Sequence, residues 1–185
     1  MKRLYGLIGF PLGHSFSARY FADKFQQEHL PECEYRNFPL ESILELPAML
    51  ENHPELCGFN VTIPYKQEVI PYLTDLGGEA REIGAVNCVK ITPKGLFGYN
   101  TDAYGFQKSL LELIGNKRPD ALILGTGGAS KAVAYVLKKL GIPFSFVSRQ
   151  SGDNRLTYSE LTPEVMETHK LIINATPLGT FPKVT

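Results

Sequence analysis

ALILGTGGASKAVAYVLKKLG, residues 121–141, has the most informative residue pattern in this chain. Its first four residues form a short apolar run that predicts a buried strand. Apolar residues then recur at helical spacing from Ala129 to Leu140, and Gly141 ends the pattern. A glycine-rich turn, residues 125–130, lies between the strand and the helix. A strand, a glycine turn and a helix in this order are typical of a dinucleotide-binding unit.

The residue types in this turn suit a pyrophosphate site. Gly125 permits the tight turn, and Gly127 lets the backbone approach a pyrophosphate. The helix N-terminus offers unpaired N–H groups and a partial positive charge. Ser130 replaces the third glycine of the usual fingerprint and is small enough for close packing of helix on strand. The alternative is a plain turn that needs glycine for its backbone angles, but the strand and helix on either side favour the dinucleotide site.

The end of the next predicted strand, residues 144–147, indicates which dinucleotide binds. An NAD site carries an acidic residue there to hold the ribose 2′-hydroxyl. This strand instead ends in Ser148 and Arg149, and the arginine can pair with a 2′-phosphate, with Arg155 in support. Asp153 in the same loop would weaken the positive field, and a solvated loop charge at Arg149 is the alternative. The sequence favours NADP.

Further strands and helices lie on both sides of this unit. With a short helix begun by Pro163 and a strand over residues 171–173, the last third of the chain reads β-α-β-α-β, which is half of a doubly wound nucleotide fold. Residues 116–120 are polar, contain a proline and are the best linker candidate. We therefore expect an α/β protein with an N-terminal substrate domain over residues 1–104. A Rossmann-type NADP-binding domain, C-terminally incomplete, is expected over residues 105–185.

The first part of the chain alternates strand and helix patterns. Ser17 is predicted to cap a helix that carries apolar residues at positions 18, 21, 22 and 25. Strands are predicted over residues 4–10, 35–38, 57–62, 85–91 and 96–99, and helices over residues 47–52, 64–70 and 102–114.

Polar side chains gather where these strands and helices meet. They are Ser15, Ser17, Thr62, Lys66, Asn87 and Asp102. Ligands bind at strand-to-helix ends of open α/β sheets, and hydroxyl and amide groups suit a small polyhydroxy ligand.

Each of these residues also has a purely structural interpretation. Ser17 and Asp102 could be helix caps, and Lys66 could be a solvated helix residue. Asn87 could bond a loop, and the neighbouring His14 is more typical of a structural or capping histidine than of a base. It is the combination, in this order along the chain, that carries information.

Six ordered motifs resemble the shikimate dehydrogenase family. They are GFPLGHSFS at 9–17, NVTIPYK at 60–66, GAVN at 84–87, NTD at 100–102, GTGGAS at 125–130 and NATPLG at 174–179. The resemblance runs from the first strand to Gly179. It implies two α/β domains joined by helices, with the active site in the cleft between them.

The resemblance also implies residue roles. It assigns Lys66 and Asp102 as the catalytic pair and Ser15, Ser17, Thr62 and Asn87 as substrate ligands. The pyrophosphate loop would be Gly125, Gly127, Gly128, Ala129 and Ser130, with Ser148 and Arg149 near the adenosine ribose and Asn174 and Thr176 beside the nicotinamide. Two departures stand out: Ser148 replaces a frequent asparagine, and the family's later substrate-binding glutamine and closing helices have no counterpart.

The implied activity is the reversible NADP-dependent reduction of 3-dehydroshikimate to shikimate, on the route to chorismate and the aromatic amino acids. Lys66 would stabilise negative charge on the reacting oxygen, and Asp102 would favour the charged form of Lys66. A quinate/shikimate dehydrogenase using NAD and a non-catalytic truncated binding fragment are the alternatives. Tyr20 and Lys24 have the spacing of a short-chain dehydrogenase pair, but they precede the glycine turn, whereas that class places them after it.

Charge and cysteine content limit the kinds of binding partner and cellular compartment that the sequence predicts. Lys and Arg total 19, as do Asp and Glu, so the balance does not predict nucleic-acid or membrane binding. Three scattered cysteines without CxxC spacing indicate neither a metal site nor a disulfide framework, and they fit a reducing cytoplasm. We expect a small-molecule substrate, with a homodimer left open.

Overall fold

The structure, a computed structural model, describes residues 2–13, 15–152 and 155–179. The chain divides into two compact units, Met1–Thr101 and Asp102–Thr185. The division lies close to the predicted domain boundary after residue 104. His14 and Asp153, singled out in the sequence, lie outside the described residues.

The first unit is built on a mixed sheet that has six strands among the described residues, in the order β2-β1-β3-β5-β6-β4. The strands are β1 (Arg3–Gly9), β2 (Cys33–Pro39), β3 (Leu56–Val61), β4 (Asp75–Leu76), β5 (Cys88–Thr92) and β6 (Gly95–Tyr99). β1 runs parallel to β2 and β3, whereas β5 runs antiparallel to β3 and β6. The ends of β1, β3 and β6 and the start of β5 therefore lie at the same edge.

The helices of this unit are α1 (Ser17–Gln27), α2 (Leu46–Asn52) and α3 (Gly78–Ile83). One face of the sheet packs buried side chains such as Ile8, Phe59 and Val89 against α2 and the segment after β3. Burying each such side chain contributes about 1.5–3 kcal/mol. This core fixes the strand ends on which the polar residues lie.

Two local predictions for this unit are wrong. Residues 64–70 form turns followed by a 3₁₀ helix, Ile70–Tyr72. The carbonyl of Lys66 accepts the Val86 N–H at 2.7 Å, whereas the Ile70 N–H, its partner in an α-helix, donates to the Gln67 carbonyl at 3.2 Å. Ser17 is not a cap but the first residue of α1. The Oγ of Ser15 accepts the Ser17 N–H instead, at 3.3 Å.

The second unit contains a parallel sheet with the order β10-β7-β8-β9 in the described part of the chain. Its strands are β7 (Ala121–Leu124), β8 (Phe144–Ser148), β9 (Arg155–Thr157) and β10 (Leu171–Asn174), and its helices are α4 (Asp102–Ile114), α5 (Gly128–Lys139) and α6 (Pro163–Thr168). β9 is an addition that the sequence pattern did not predict. Within the described ranges, no helix has the length and apolar character needed to cross a bilayer.

The candidate linker, residues 116–120, does not divide the two units. It connects α4 to β7 inside the second unit, where α4 packs on α5. The Arg118 guanidinium reinforces this arrangement by donating to the carbonyls of Gly115 and Leu140, each at 3.2 Å. One side chain thus satisfies carbonyls beyond the C-termini of both helices.

Candidate active site

Backbone hydrogen bonds place Thr62 and Asn87 at the same edge of the first sheet. The Thr62 N–H donates to the Ile8 carbonyl at 3.0 Å, and the Val61 N–H donates to the Asn87 carbonyl at 2.9 Å. The close approach requires glycine at position 9, because a Cβ there would overlap the Thr62 methyl and lie 2.9 Å from the Ile63 carbonyl oxygen. The end of β1 therefore holds Thr62 beside Asn87.

The Asn87 side chain is oriented by Thr101, a residue of the NTD motif to which the sequence analysis assigned no role. Asn87 is only 9% exposed, and its Oδ1 accepts the Thr101 N–H at 2.8 Å. Its Nδ2 also donates to the Thr101 hydroxyl at 2.9 Å. These contacts fix the amide plane, so Asn87 can present a defined polar group to a ligand.

Ser15 and Ser17 lie half-buried at the start of α1. The residue before this helix is Phe16, whose side chain cannot cap the first-turn N–H groups. The Phe21 ring of the same helix stacks on the Tyr35 ring of β2, with centroids 4.5 Å apart. Two serines at a helix start that Phe16 does not cap are suited to an anionic or hydroxylated ligand.

Lys66 lies half-buried in the turn after β3. The neighbouring Tyr65 anchors this turn, because its buried hydroxyl donates to the Leu40 carbonyl at 2.7 Å. The Lys66 carbonyl is held by Val86, next to Asn87. The Lys66 backbone is thus fixed relative to Asn87. Asp102 begins α4 in the second unit, and its pairing with Lys66 stays a prediction.

The glycine turn of the second unit leaves backbone N–H groups available. Gly125 has φ +105° and donates its N–H to the Val147 carbonyl at 2.9 Å. α5 then begins after Gly127, which has no side chain with which to cap the first turn. A Cβ at Gly127 would meet nothing within 4 Å, so the surface over the turn is open among the described residues. Uncapped N–H groups at an open helix start fit a pyrophosphate.

Ser130, in the first turn of α5, is completely buried. Its hydroxyl has no hydrogen-bond partner among the described residues. Gly128 and Ala129 precede it in the same turn, where small side chains keep the helix start uncrowded. All three positions fit the predicted pyrophosphate loop in size.

Two further pairs of residues shape the loops at the edge of the parallel sheet where the glycine turn also lies. At the end of β8, the Ser148 hydroxyl accepts the Gln150 N–H at 3.1 Å, which leaves the Arg149 side chain exposed. At the end of β10, the Asn174 Oδ1 accepts from the Thr176 hydroxyl at 2.7 Å and from its N–H at 3.0 Å. Ser148, Asn174 and Thr176 therefore use their polar atoms on the backbone turns, whereas Arg149 extends from the loop.

The residues that the structure describes form no candidate metal site. No group of three or more His, Cys, Asp or Glu side chains that could hold a metal occurs in residues 2–13, 15–152 and 155–179.

Comparison with known proteins places these features in a family. The profile described as "Shikimate dehydrogenase substrate binding domain" matches residues 7–89. The NADP(+) shikimate dehydrogenase of Clostridium beijerinckii is 39% identical over 194 residues, which cover 97% of this chain and 70% of the relative. The chain thus spans about 70% of the length of that relative.

Solved structures of shikimate dehydrogenases are also similar to this chain. Shikimate dehydrogenase 1 from Peptoclostridium difficile matches with a TM-score of 0.83 and 32% identity, over 98% of this chain and 69% of that one. The Thermus thermophilus enzyme in complex with NADP(H) and shikimate matches with a TM-score of 0.76 and 30% identity, over 96% of this chain and 69% of that one. The predicted α/β fold, with a substrate domain followed by a Rossmann-type unit, is confirmed. The chain belongs to the shikimate dehydrogenase family.

Proposed function

We propose that this chain is an NADP-dependent shikimate dehydrogenase. The reaction interconverts 3-dehydroshikimate plus NADPH and a proton with shikimate plus NADP+, on the route to chorismate and the aromatic amino acids. The observation that carries the proposal is the bonded edge of the first sheet, where Thr62, Asn87 and the Lys66 turn converge. The Thr62 hydroxyl, the Asn87 amide and the turn that carries Lys66 suit a small acid with several hydroxyl groups, such as the shikimate named for the relatives.

Four side chains are proposed to bind that substrate. Ser15 and Ser17 would hold its carboxylate with the N–H groups at the start of α1, where charge-assisted hydrogen bonds are strongest. Thr62 and Asn87 would hold ring hydroxyls. Support for Asn87 comes from its bonds to Thr101, because an amide with a fixed plane distinguishes donor from acceptor in its ligand.

NADP, when bound, supplies the hydride acceptor or donor. The turn of Gly125, Gly127, Gly128, Ala129 and Ser130 would hold its pyrophosphate through backbone N–H groups. Ser148 and Arg149 would lie near the adenosine ribose, where Arg149 can pair with the 2′-phosphate. Asn174 and Thr176 would shape the loop beside the nicotinamide, which their bonds to each other support.

Lys66 and Asp102 are proposed as the catalytic pair. In the reducing direction, negative charge develops on the substrate oxygen, and the Lys66 ammonium would stabilise it and supply a proton. Asp102 would favour the charged form of Lys66. In the oxidising direction one member of the pair must accept the hydroxyl proton, and the assignment between the two is left open.

We further propose a cytoplasmic location, which three free thiols on Cys33, Cys57 and Cys88 support. The homodimer considered from the sequence stays a prediction, which light scattering would measure. Neither point affects the catalytic proposal.

The proposal is tested by following NADP+ reduction spectrophotometrically, crossing shikimate and quinate with NADP+ and NAD+. We expect the highest kcat/KM with shikimate and NADP+, because Arg149 favours the phosphorylated cofactor. Highest activity with quinate and NAD+ would instead support the quinate/shikimate dehydrogenase that uses NAD. Binding of both ligands without turnover would support a non-catalytic binding protein instead.

A further inference from the structure

A hydrogen bond between two side chains spans the central strand of the first unit. Tyr35 on β2 and Asn60 on β3 lie on opposite sides of β1. The Tyr35 hydroxyl donates to the Asn60 Oδ1 at 2.8 Å. This bond, here called the β1 bridge, joins two strands that do not pair with each other.

Each end of the β1 bridge reaches an element that carries a residue proposed to bind substrate. On one side, the Phe21 ring of α1, the helix that begins at Ser17, stacks on the Tyr35 ring with centroids 4.5 Å apart and planes at 13°. On the other side, the Asn60 Nδ2 donates to the Asn87 carbonyl at 3.3 Å. α1 is thus connected to the start of β5 through two side chains.

The chemistry of the β1 bridge suits a fixed connection. Burial raises the pKa of Tyr35, so its hydroxyl remains a neutral donor at neutral pH. The Asn60 amide then accepts with one atom and donates with the other, so both partners are held in one orientation. Ser17 and Phe21 are four residues apart and lie on one face of α1, so the ring stack on Phe21 brings Tyr35 to the helix face that also carries Ser17.

We propose that Tyr35 and Asn60 are positioning residues that set the location of Ser17 relative to Asn87 and thereby the affinity for substrate. The inference rests on the proposed function, because it takes Ser17 and Asn87 as substrate ligands. Neither member of the β1 bridge needs to touch the substrate. Their effect passes through the helix start that Ser17 occupies, so it appears in substrate affinity rather than in hydride transfer or cofactor affinity.

The test is Tyr35→Phe, which keeps the ring stacked on Phe21 and removes the donor. We expect the KM for shikimate to rise roughly tenfold, with kcat and the KM for NADP+ within about twofold of the unmodified chain. Tyr5→Phe is the matched control, because Tyr5 lies in register with Tyr35 on β1 but opposite Gly58 rather than Asn60. It should leave all three constants unchanged.

A double-mutant cycle with Ser17→Ala separates positioning from general loosening of the fold. If Tyr35 acts through Ser17, adding Tyr35→Phe to Ser17→Ala should raise the KM by less than about twofold. An unchanged KM in Tyr35→Phe, or an equal increase in both backgrounds, would overturn the inference. If Tyr35→Phe does not fold, Asn60→Asp, which keeps the acceptor for Tyr35 and loses the donor to Asn87, is measured in the same cycle.

The same measurements distinguish this inference from the proposed function. An unmodified chain that does not oxidise shikimate overturns the proposed function and, with it, the inference. An active unmodified chain whose KM does not respond to Tyr35→Phe overturns the inference alone.

Discussion

The two units build their candidate sites in different ways. In the first unit, side chains from distant parts of the sequence are joined across a mixed sheet, as in the bonds of Tyr35 to Asn60 and of Asn87 to Thr101. In the second unit, one contiguous turn at the end of β7 leads into a helix whose first turn has no side-chain cap. The first site depends on which side chains meet, and the second depends on the backbone conformation of a few residues.

This difference has consequences for substitutions. A side chain in the first unit can be replaced with little change to the backbone, so its loss should change one step of binding or catalysis. In the second unit, a substitution matters when it changes backbone angles or charge.

The largest effect is expected at Lys66. Lys66→Ala should lower kcat by about 10²–10⁴-fold, the usual range for loss of a general acid or base, with the Kd for NADP+ nearly unchanged. Steady-state kinetics and cofactor titration measure the two quantities. Lys94→Ala, in the exposed β5–β6 turn, is the control for charge. Equal kcat values for Lys66→Ala and the control would remove Lys66 from the mechanism.

The next effect tests the backbone site. Gly125→Ala should lower the free energy of unfolding by about 1–3 kcal/mol, because the residue has φ +105°. The new Cβ would also lie 3.1 Å from the Thr176 Cγ2. NADP+ should bind at least about tenfold more weakly, while shikimate affinity should be retained.

Gly127→Ala sharpens this test, because Gly127 has φ −79° and a Cβ there would meet nothing within 4 Å. It should therefore leave the free energy of unfolding unchanged yet still weaken NADP+ binding, if the pyrophosphate approaches the backbone there. Unfolding by urea and calorimetric titration separate the two effects. Undiminished NADP+ binding in both variants would contradict a pyrophosphate site at this turn.

A smaller effect tests the cofactor preference. Arg149→Ala should raise the Kd for NADP+ about tenfold through loss of a charge-assisted hydrogen bond, and leave the Kd for NAD+ unchanged. Lys170→Ala is the matched control, because this exposed lysine precedes β10 and lies at the opposite edge of the parallel sheet. A parallel loss of affinity for both dinucleotides would argue against contact with a 2′-phosphate.

The smallest effect concerns Cys88, which lies opposite Asn60 at the site edge of the first unit. Burial raises the pKa of its thiol, so less of the reactive thiolate is present at a given pH than in an unfolded chain. With Cys33 and Cys57 replaced by serine, alkylation of native Cys88 should keep rising to higher pH than alkylation in urea. Coincident pH profiles in the two conditions would show that this edge is more open than the structure describes.

The sequence pattern predicted most elements, but it erred where tertiary contacts override local preference. Residues 64–70 have a helical pattern, yet Val86 takes the Lys66 carbonyl from across the unit. Ser17 resembles a cap, yet it is the first residue of α1, and the Oγ of Ser15 accepts its N–H. β9 was missed because three residues carry too little periodicity to predict a strand.

The residues proposed for the site also divide into those that a local sequence pattern predicts and those that depend on distant partners. Gly125 and Arg149 were recognised from their places after single strands, because a turn and a loop charge are local features. Asn60 and Thr101 lie within two of the family's motifs, but neither they nor Tyr35 received a role, because each acts through a partner at least 14 residues away in the sequence. Only the strand order shows that these partners meet.

By itself, the sequence determined the succession of strands and helices and the glycine turn that opens the start of α5. These depend on side-chain periodicity and on backbone angles that neighbouring residues set. The tertiary structure alone decided that β5 and β6 run antiparallel beside the parallel strands, which brings Asn87 to the edge where β1 and β3 end. Hydrogen bonds between distant residues form only after the strands are ordered, and no local pattern encodes that order.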